Sequence, residues 1–126
     1  MTTLVSFTND EPKPVEHNVF SNSEAKKFDL GLYKPGDSVE PVEFDTPGAV
    51  RLRCSIHRYM DGVVYVTPTP WFATVGKDGQ FSMAGVPPGD YRLKTWQRSQ
   101  RFREQDVAVI VTAGKTAQVA VEMSRK

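Results

Sequence analysis

An all-β chain, either a sandwich or a barrel, is what this sequence predicts, and three observations carry the expectation. Gly and Pro, nine of each, punctuate the chain at short intervals. The segments between them are short alternating runs rich in Val, Phe and Tyr, the pattern of strands divided by turns. No segment keeps a helical period long enough to bury a helix face.

Taken in order, Thr3 to Thr8 reads as a first strand, with Leu4, Ser6 and Thr8 alternating against Val5 and Phe7. Residues 9–14 form a polar loop broken by Pro12 and Pro14, and His17 to Phe20 resumes extended structure. Between Asn22 and Leu30 the run Glu24-Ala25-Lys26-Lys27 has helical propensity enough for one short turn at most. Lys34-Pro35-Gly36-Asp37 and Asp45-Thr46-Pro47-Gly48 are turns on either side of a short strand, Pro41 to Phe44. Ala49 to Cys54 has a clear period of two: Val50, Leu52 and Cys54 point one way, Arg51 and Arg53 the other. That alternation puts Cys54 on the apolar face at the end of a strand. Gly62 to Thr67 leaves the next loop, and Thr67-Pro68-Thr69-Pro70 is the best internal boundary, dividing residues 1–67 from 68–126.

Beyond it, Trp71 to Val75 and Gln80 to Met83 read as a hairpin around Lys77-Asp78-Gly79, since Asp-Gly is a strong turn signal. Val86 to Asp90 turns the chain into a strand from Tyr91 to Trp96. Asp106 to Val111 and Ala117 to Met123 read as a closing hairpin around Thr112-Ala113-Gly114-Lys115.

Composition narrows the function classes. A formal charge of +1 gives no global basic field for nucleic acid, and Arg98, Arg101 and Arg103 around Phe102 are weak evidence for one. No apolar run approaches the roughly 18 residues of a membrane span. The first residues, Met1 to Val5, show neither a basic nor a long apolar region of a signal peptide, so either the protein stays where it is made or Met1 follows a removed leader. The lone cysteine forms no intrachain disulfide.

The chemistry concentrates in Cys54-Ser55-Ile56-His57-Arg58-Tyr59-Met60, which holds the only cysteine, one of two histidines and one of four methionines. The spacing C-x2-H-x2-M can aim a thiolate, an imidazole and a thioether at one point. A trigonal His2Cys set with a weak axial Met is the ligand set of blue copper. The one candidate for the second imidazole is His17, which would have to fold back to meet residues 54–60. Asn18, beside it, could hydrogen-bond the ligand loop through its side chain and reach the Cys54 sulfur through its backbone N–H. Taken singly, each residue has a plainer role: Cys54 as a small buried apolar group, His17 at the surface, Met60 in the core, Asn18 in a turn.

His17-Asn18-Val19 and Cys54 to Gly62 resemble the two copper-ligand segments of the cupredoxins, with the loop spacing of the amicyanin-like members. Lys27 to Tyr33, Phe44 to Gly48 and Trp71 to Val75 are similar to a plastocyanin-like group labelled methylamine-utilisation proteins. This resemblance covers roughly residues 3–97. It implies a Greek-key β-sandwich, one type 1 copper ion held by His17, Cys54, His57 and Met60, a periplasmic location and a redox partner protein. Lys77 to Phe81 with Gly85 to Tyr91 is similar to the carboxypeptidase regulatory-like, or transthyretin-like, β-sandwich, where such residues are structural. The combined expectation is a cupredoxin-like part extended by a transthyretin-like set of strands.

Three departures qualify the resemblance. Residues 1–66 are short for a complete cupredoxin, so the C-terminal strands, or a homo-oligomer formed through an unpaired strand edge, would complete the sandwich. Arg58 stands where amicyanin-like loops often have Pro. Members of the group also vary at the ligand positions, whereas all four are present here. Arg51, Arg53 and Arg58 could dock an acidic redox partner or simply form a solvated strand face. Trp71 and Trp96 could line a carbohydrate surface, though packing is the plainer role. Three functions stay open: a one-electron carrier that is not an enzyme, a copper-binding or storage protein without electron transfer, and a metal-free β-sandwich interaction module.

Overall fold

A computed structural model describes residues 3–57 and 59–126. Arg58, and with it the docking role expected there, lies outside the described residues, as does the reading of Met1 as a start. The described chain is all-β, with eight strands and no helix. It divides into two compact units, one ending at Pro70 and the other spanning Trp71–Lys126.

The first unit carries six strands: β1 (Thr3–Val5), β2 (Phe20–Ser23), β3 (Lys26–Asp29), β4 (Val42–Phe44), β5 (Gly48–Arg53) and β6 (Asp61–Val66). β1 and β4 pair antiparallel, and the other four form an antiparallel sheet in the order β3-β2-β5-β6. Val42 and Phe44 of β4 bury one face of the small sheet against Val50 of β5, with Phe28, Leu52, Val64 and Val66 around them. The result is a two-layer β-sandwich, the arrangement that buries one face of each sheet. Val50 is fully buried, which contributes about 1.5–3 kcal/mol for a side chain of that size.

The alternation expected along β5 is present: Val50, Leu52 and Cys54 face inward while Arg51 and Arg53 are exposed. The first strand is shorter than its alternation suggests. It leaves the ladder after Val5, and Phe7 packs instead against Phe28 and Phe44, with ring centroids 6.0 and 6.5 Å away.

The helical turn expected between Asn22 and Leu30 is replaced by the β2–β3 hairpin. Four residues of good propensity cannot offset helix nucleation, whereas the hairpin delivers Phe28 to the core. Ser21 secures the tight turn, donating its hydroxyl to the Lys26 carbonyl at 2.7 Å and accepting from the Ser23 N–H at 3.0 Å. Beyond the hairpin the ladder continues through Leu30 N–H to Val19 C=O and then a bridge between His17 and Tyr33. The register slips by one residue on the way. Gly31, at φ 72°, absorbs the extra residue as a bulge.

In the second unit β7 (Gly89–Lys94) and β8 (Asp106–Val111) form an antiparallel pair, with Tyr91 opposite Val109 and Leu93 opposite Val107 on its half-buried face. Two expected hairpins are not formed as such. Around Asp78-Gly79 the turn closes, with Gly76 N–H on Gln80 C=O at 2.9 Å, but residues 71–75 and 80–83 form no ladder. Residues 117–123 keep the alternating burial of a strand yet are not strand-paired, because alternation reports which face is covered and not whether a neighbour accepts the backbone hydrogen bonds. The chain end is tied instead to residues 101–103, through Arg103 N–H on Ser124 C=O at 2.8 Å and Lys126 N–H on Arg101 C=O at 2.9 Å.

Candidate metal centre

β5 ends at Arg53 and hands the chain to Cys54, which keeps the inward orientation and is 6% exposed. Arg53 pairs with Phe20 at the start of β2, so the segment preceding β2 runs beside the segment following β5. That pairing brings His17 to Cys54 across 37 positions of sequence. On its other side His17 exchanges both backbone hydrogen bonds with Tyr33, at 3.1 and 2.9 Å, which fixes the backbone from which its ring projects.

Two imidazoles converge on one sulfur. Nδ1 of His17 lies 3.9 Å from Cys54 Sγ, and Nδ1 of His57 lies 3.6 Å from it. The two rings sit 4.7 Å apart between centroids. One donor atom from each of His17, Cys54 and His57 falls within 4.8 Å of the other two, and this group could hold a metal ion. A thiolate with two imidazoles suits a soft or borderline metal, copper or zinc, better than an oxygen-seeking cation.

Met60 follows in the same loop. Its N–H donates to the His57 carbonyl at 2.9 Å, closing a turn, and its side chain is half-buried. Of the four expected ligands, His17, Cys54 and His57 are therefore brought together as a cluster, and Met60 is tied to it only through its backbone hydrogen bond to His57.

Asn18 joins the two segments. Its side-chain oxygen accepts from the Ser55 N–H and hydroxyl, its amide donates to Asp29 Oδ1 at 3.3 Å, and its backbone N–H hydrogen-bonds the Cys54 sulfur. Asp29 Oδ1 also accepts from the Gly31 N–H at 2.9 Å, so the bulge and the clamp share one carboxylate.

The electrostatics favour a thiolate. Burial pushes the Cys54 thiol up, but hydrogen bonds from the Asn18 N–H, the two imidazoles and the Ile56 N–H outweigh it, and its pKa falls from 9.0 to about 6. The contact with Cys54, followed by that with Glu11, holds His17 above its ordinary value against the opposing effect of burial.

One residue was not anticipated from sequence. Glu11 Oε1 lies 2.9 Å from His17 Nε2, on the side of the ring away from the sulfur. Only its position six residues before the histidine, in a proline-rich loop, could have hinted at it.

Fold and site together define a β-sandwich protein with a candidate His2Cys metal centre in its first unit. Residues 71–119, under half of the chain and all within the second unit, match the family model of polysaccharide lyase family 4, domain II, an fn3-like module. That segment contains none of the clustered residues. No curated protein and no solved structure matches the chain.

Proposed function

We propose that the first unit is a type 1 (blue) copper protein acting as a one-electron carrier, in which His17, Cys54 and His57 would hold the copper and Met60 would add a weak thioether donor. The observation behind this reading is the convergence of two Nδ1 atoms on a single buried sulfur, at 3.9 and 3.6 Å. When bound, copper would supply a couple between its cuprous and cupric states. The chain supplies the rest. Cys54 offers a thiolate shielded from water, and the hydrogen bonds to its sulfur keep it deprotonated. The β2–β5 pairing and the Asn18–Ser55 clamp hold the two segments in register, so the donor set need move little between oxidation states.

His57 is half-buried and flanked by exposed Ile56 and Tyr59, whose ring centroid lies 5.8 Å from the imidazole. This face is the route by which an electron would reach a partner protein. Arg51 and Arg53, exposed on β5, would favour an acidic docking surface. The reading carries with it a periplasmic setting, the absence of a reaction on a substrate, and a homo-oligomer through an open edge of the four-stranded sheet as the assembly to look for.

Two other readings have support. The same donors suit Cu(I) storage without electron transfer. The fn3-like match of residues 71–119 favours an interaction module in which the first unit is scaffold. Voltammetry of the protein after copper addition separates all three. A carrier gives a reversible one-electron wave at positive potential. A store retains Cu(I) and shows no reversible wave, and a metal-free module takes up no copper.

A further inference from the structure

The loop before His17 is built around an asparagine. Asn9 Oδ1 accepts from the Glu11 N–H at 3.1 Å, and Asn9 Nδ2 donates to the carbonyls of Val15 at 2.9 Å and Tyr33 at 3.1 Å. Tyr33 is the residue bridged to His17. One side chain therefore fixes the backbone at Glu11, the approach to His17 and the strand opposite it. The consequence is that Glu11 Oε1 reaches His17 Nε2 at 2.9 Å.

An ionised carboxylate only accepts hydrogen bonds, so Nε2 must donate. A neutral imidazole carries one ring proton. With that proton on Nε2, the lone pair is on Nδ1, the nitrogen facing Cys54 and His57. The Glu11 carboxylate charge beside the ring also raises the basicity of the imidazole.

We propose that Glu11 is the positioning residue of this centre: it locks His17 in the tautomer that aims its Nδ1 lone pair at the cluster, and it biases bound copper toward the cupric state. The second half rests on the copper reading of the site; the first does not. Glu11 acts through His17, whose Nε2 it meets at 2.9 Å.

The test has a metal-free arm and a copper arm. In the first, long-range proton–nitrogen correlation spectra of metal-free Cys54→Ala protein are recorded at alkaline pH, where the ring is neutral and no thiolate competes for its proton on the Nδ1 side. The Nε2–H form of His17 should dominate with Glu11 intact and in Glu11→Gln, whose amide oxygen can still accept, and should give way to a mixture in Glu11→Ala. An Nδ1–H form with Glu11 intact, or no change in Glu11→Ala, overturns the proposal.

In the second arm, Cu(II) affinity should fall about 10- to 100-fold in Glu11→Ala. Glu11→Gln should recover much of that loss yet shift the reduction potential upward, because the hydrogen bond is kept and the charge is removed. A Glu11→Gln potential equal to wild type would assign the residue to loop packing and overturn the cupric bias. Wild-type protein that takes up no copper overturns the cupric bias along with the copper reading, and the metal-free arm then decides the tautomer claim by itself.

Discussion

The side-chain oxygen of Asn18 accepts two hydrogen bonds from Ser55, from its backbone N–H at 2.7 Å and from its hydroxyl at 2.9 Å. These bonds join the residue after His17 to the residue after Cys54, so they set the distance between two of the clustered donors. Asn18 is 4% exposed, and removing its side chain takes the acceptor from both Ser55 groups and the donor from Asp29. Asn18→Ala should lower the stability of the apoprotein by about 1–3 kcal/mol in urea unfolding followed by circular dichroism. It should also weaken metal binding more than Asn18→Asp, which keeps the acceptor oxygen.

The Cys54 thiol should titrate far below an ordinary cysteine. Its pKa in the fold is about 6, against 9.0 for an unperturbed thiol, so the thiolate absorbance of the metal-free protein should rise through pH 6. The sign for stability follows from linkage. A group whose pKa is depressed by folding contributes stability that is complete above the unfolded value, near 9, and is lost as the pH falls through about 6. His17 behaves oppositely. Its contribution is complete below 6.5 and fades as the pH rises through its raised value. A midpoint near 9 for the thiolate would mean that the imidazoles and backbone N–H groups do not stabilise it.

Much of the site was legible because it lies on regular local patterns. The period of two from Val50 to Cys54 is enough to turn the sulfur inward, and C-x2-H-x2-M marks the loop that follows. What no local pattern states is which distant segment pairs with β5. The meeting of His17 with Cys54 depends on Phe20 opposite Arg53 and on His17 opposite Tyr33, both long-range pairings. Glu11 was invisible for the same reason, since its position is set by Asn9 reaching Tyr33.

The misread elements have equally local causes. Glu24-Ala25-Lys26-Lys27 has helical propensity, but the short run is overridden by the burial of Phe28 in the sandwich. At Asp78-Gly79 the turn forms as its sequence demands, with Gly79 at φ 80°, yet a turn does not oblige its flanks to pair.

Tyr33 links the small sheet's leading segment to the site. It is 6% exposed, its hydroxyl donates to the Phe7 carbonyl at 3.0 Å, and its backbone brackets His17. Tyr33→Phe removes one buried hydrogen bond and leaves the bridge intact. It should cost about 1 kcal/mol in chemical denaturation, with metal stoichiometry unchanged. A loss of metal uptake in this variant would show that the hydroxyl, and not the backbone pairing, places His17.

The central claim is that Cys54, His17 and His57 together hold copper through a covalent thiolate bond. Cu(II) is added to the purified apoprotein, and the visible spectrum is recorded beside that of Cys54→Ala. The account predicts one copper per chain and an intense orange-red absorption that gives a blue protein, absent from the variant. No copper uptake, or a spectrum that Cys54→Ala leaves unchanged, would contradict it.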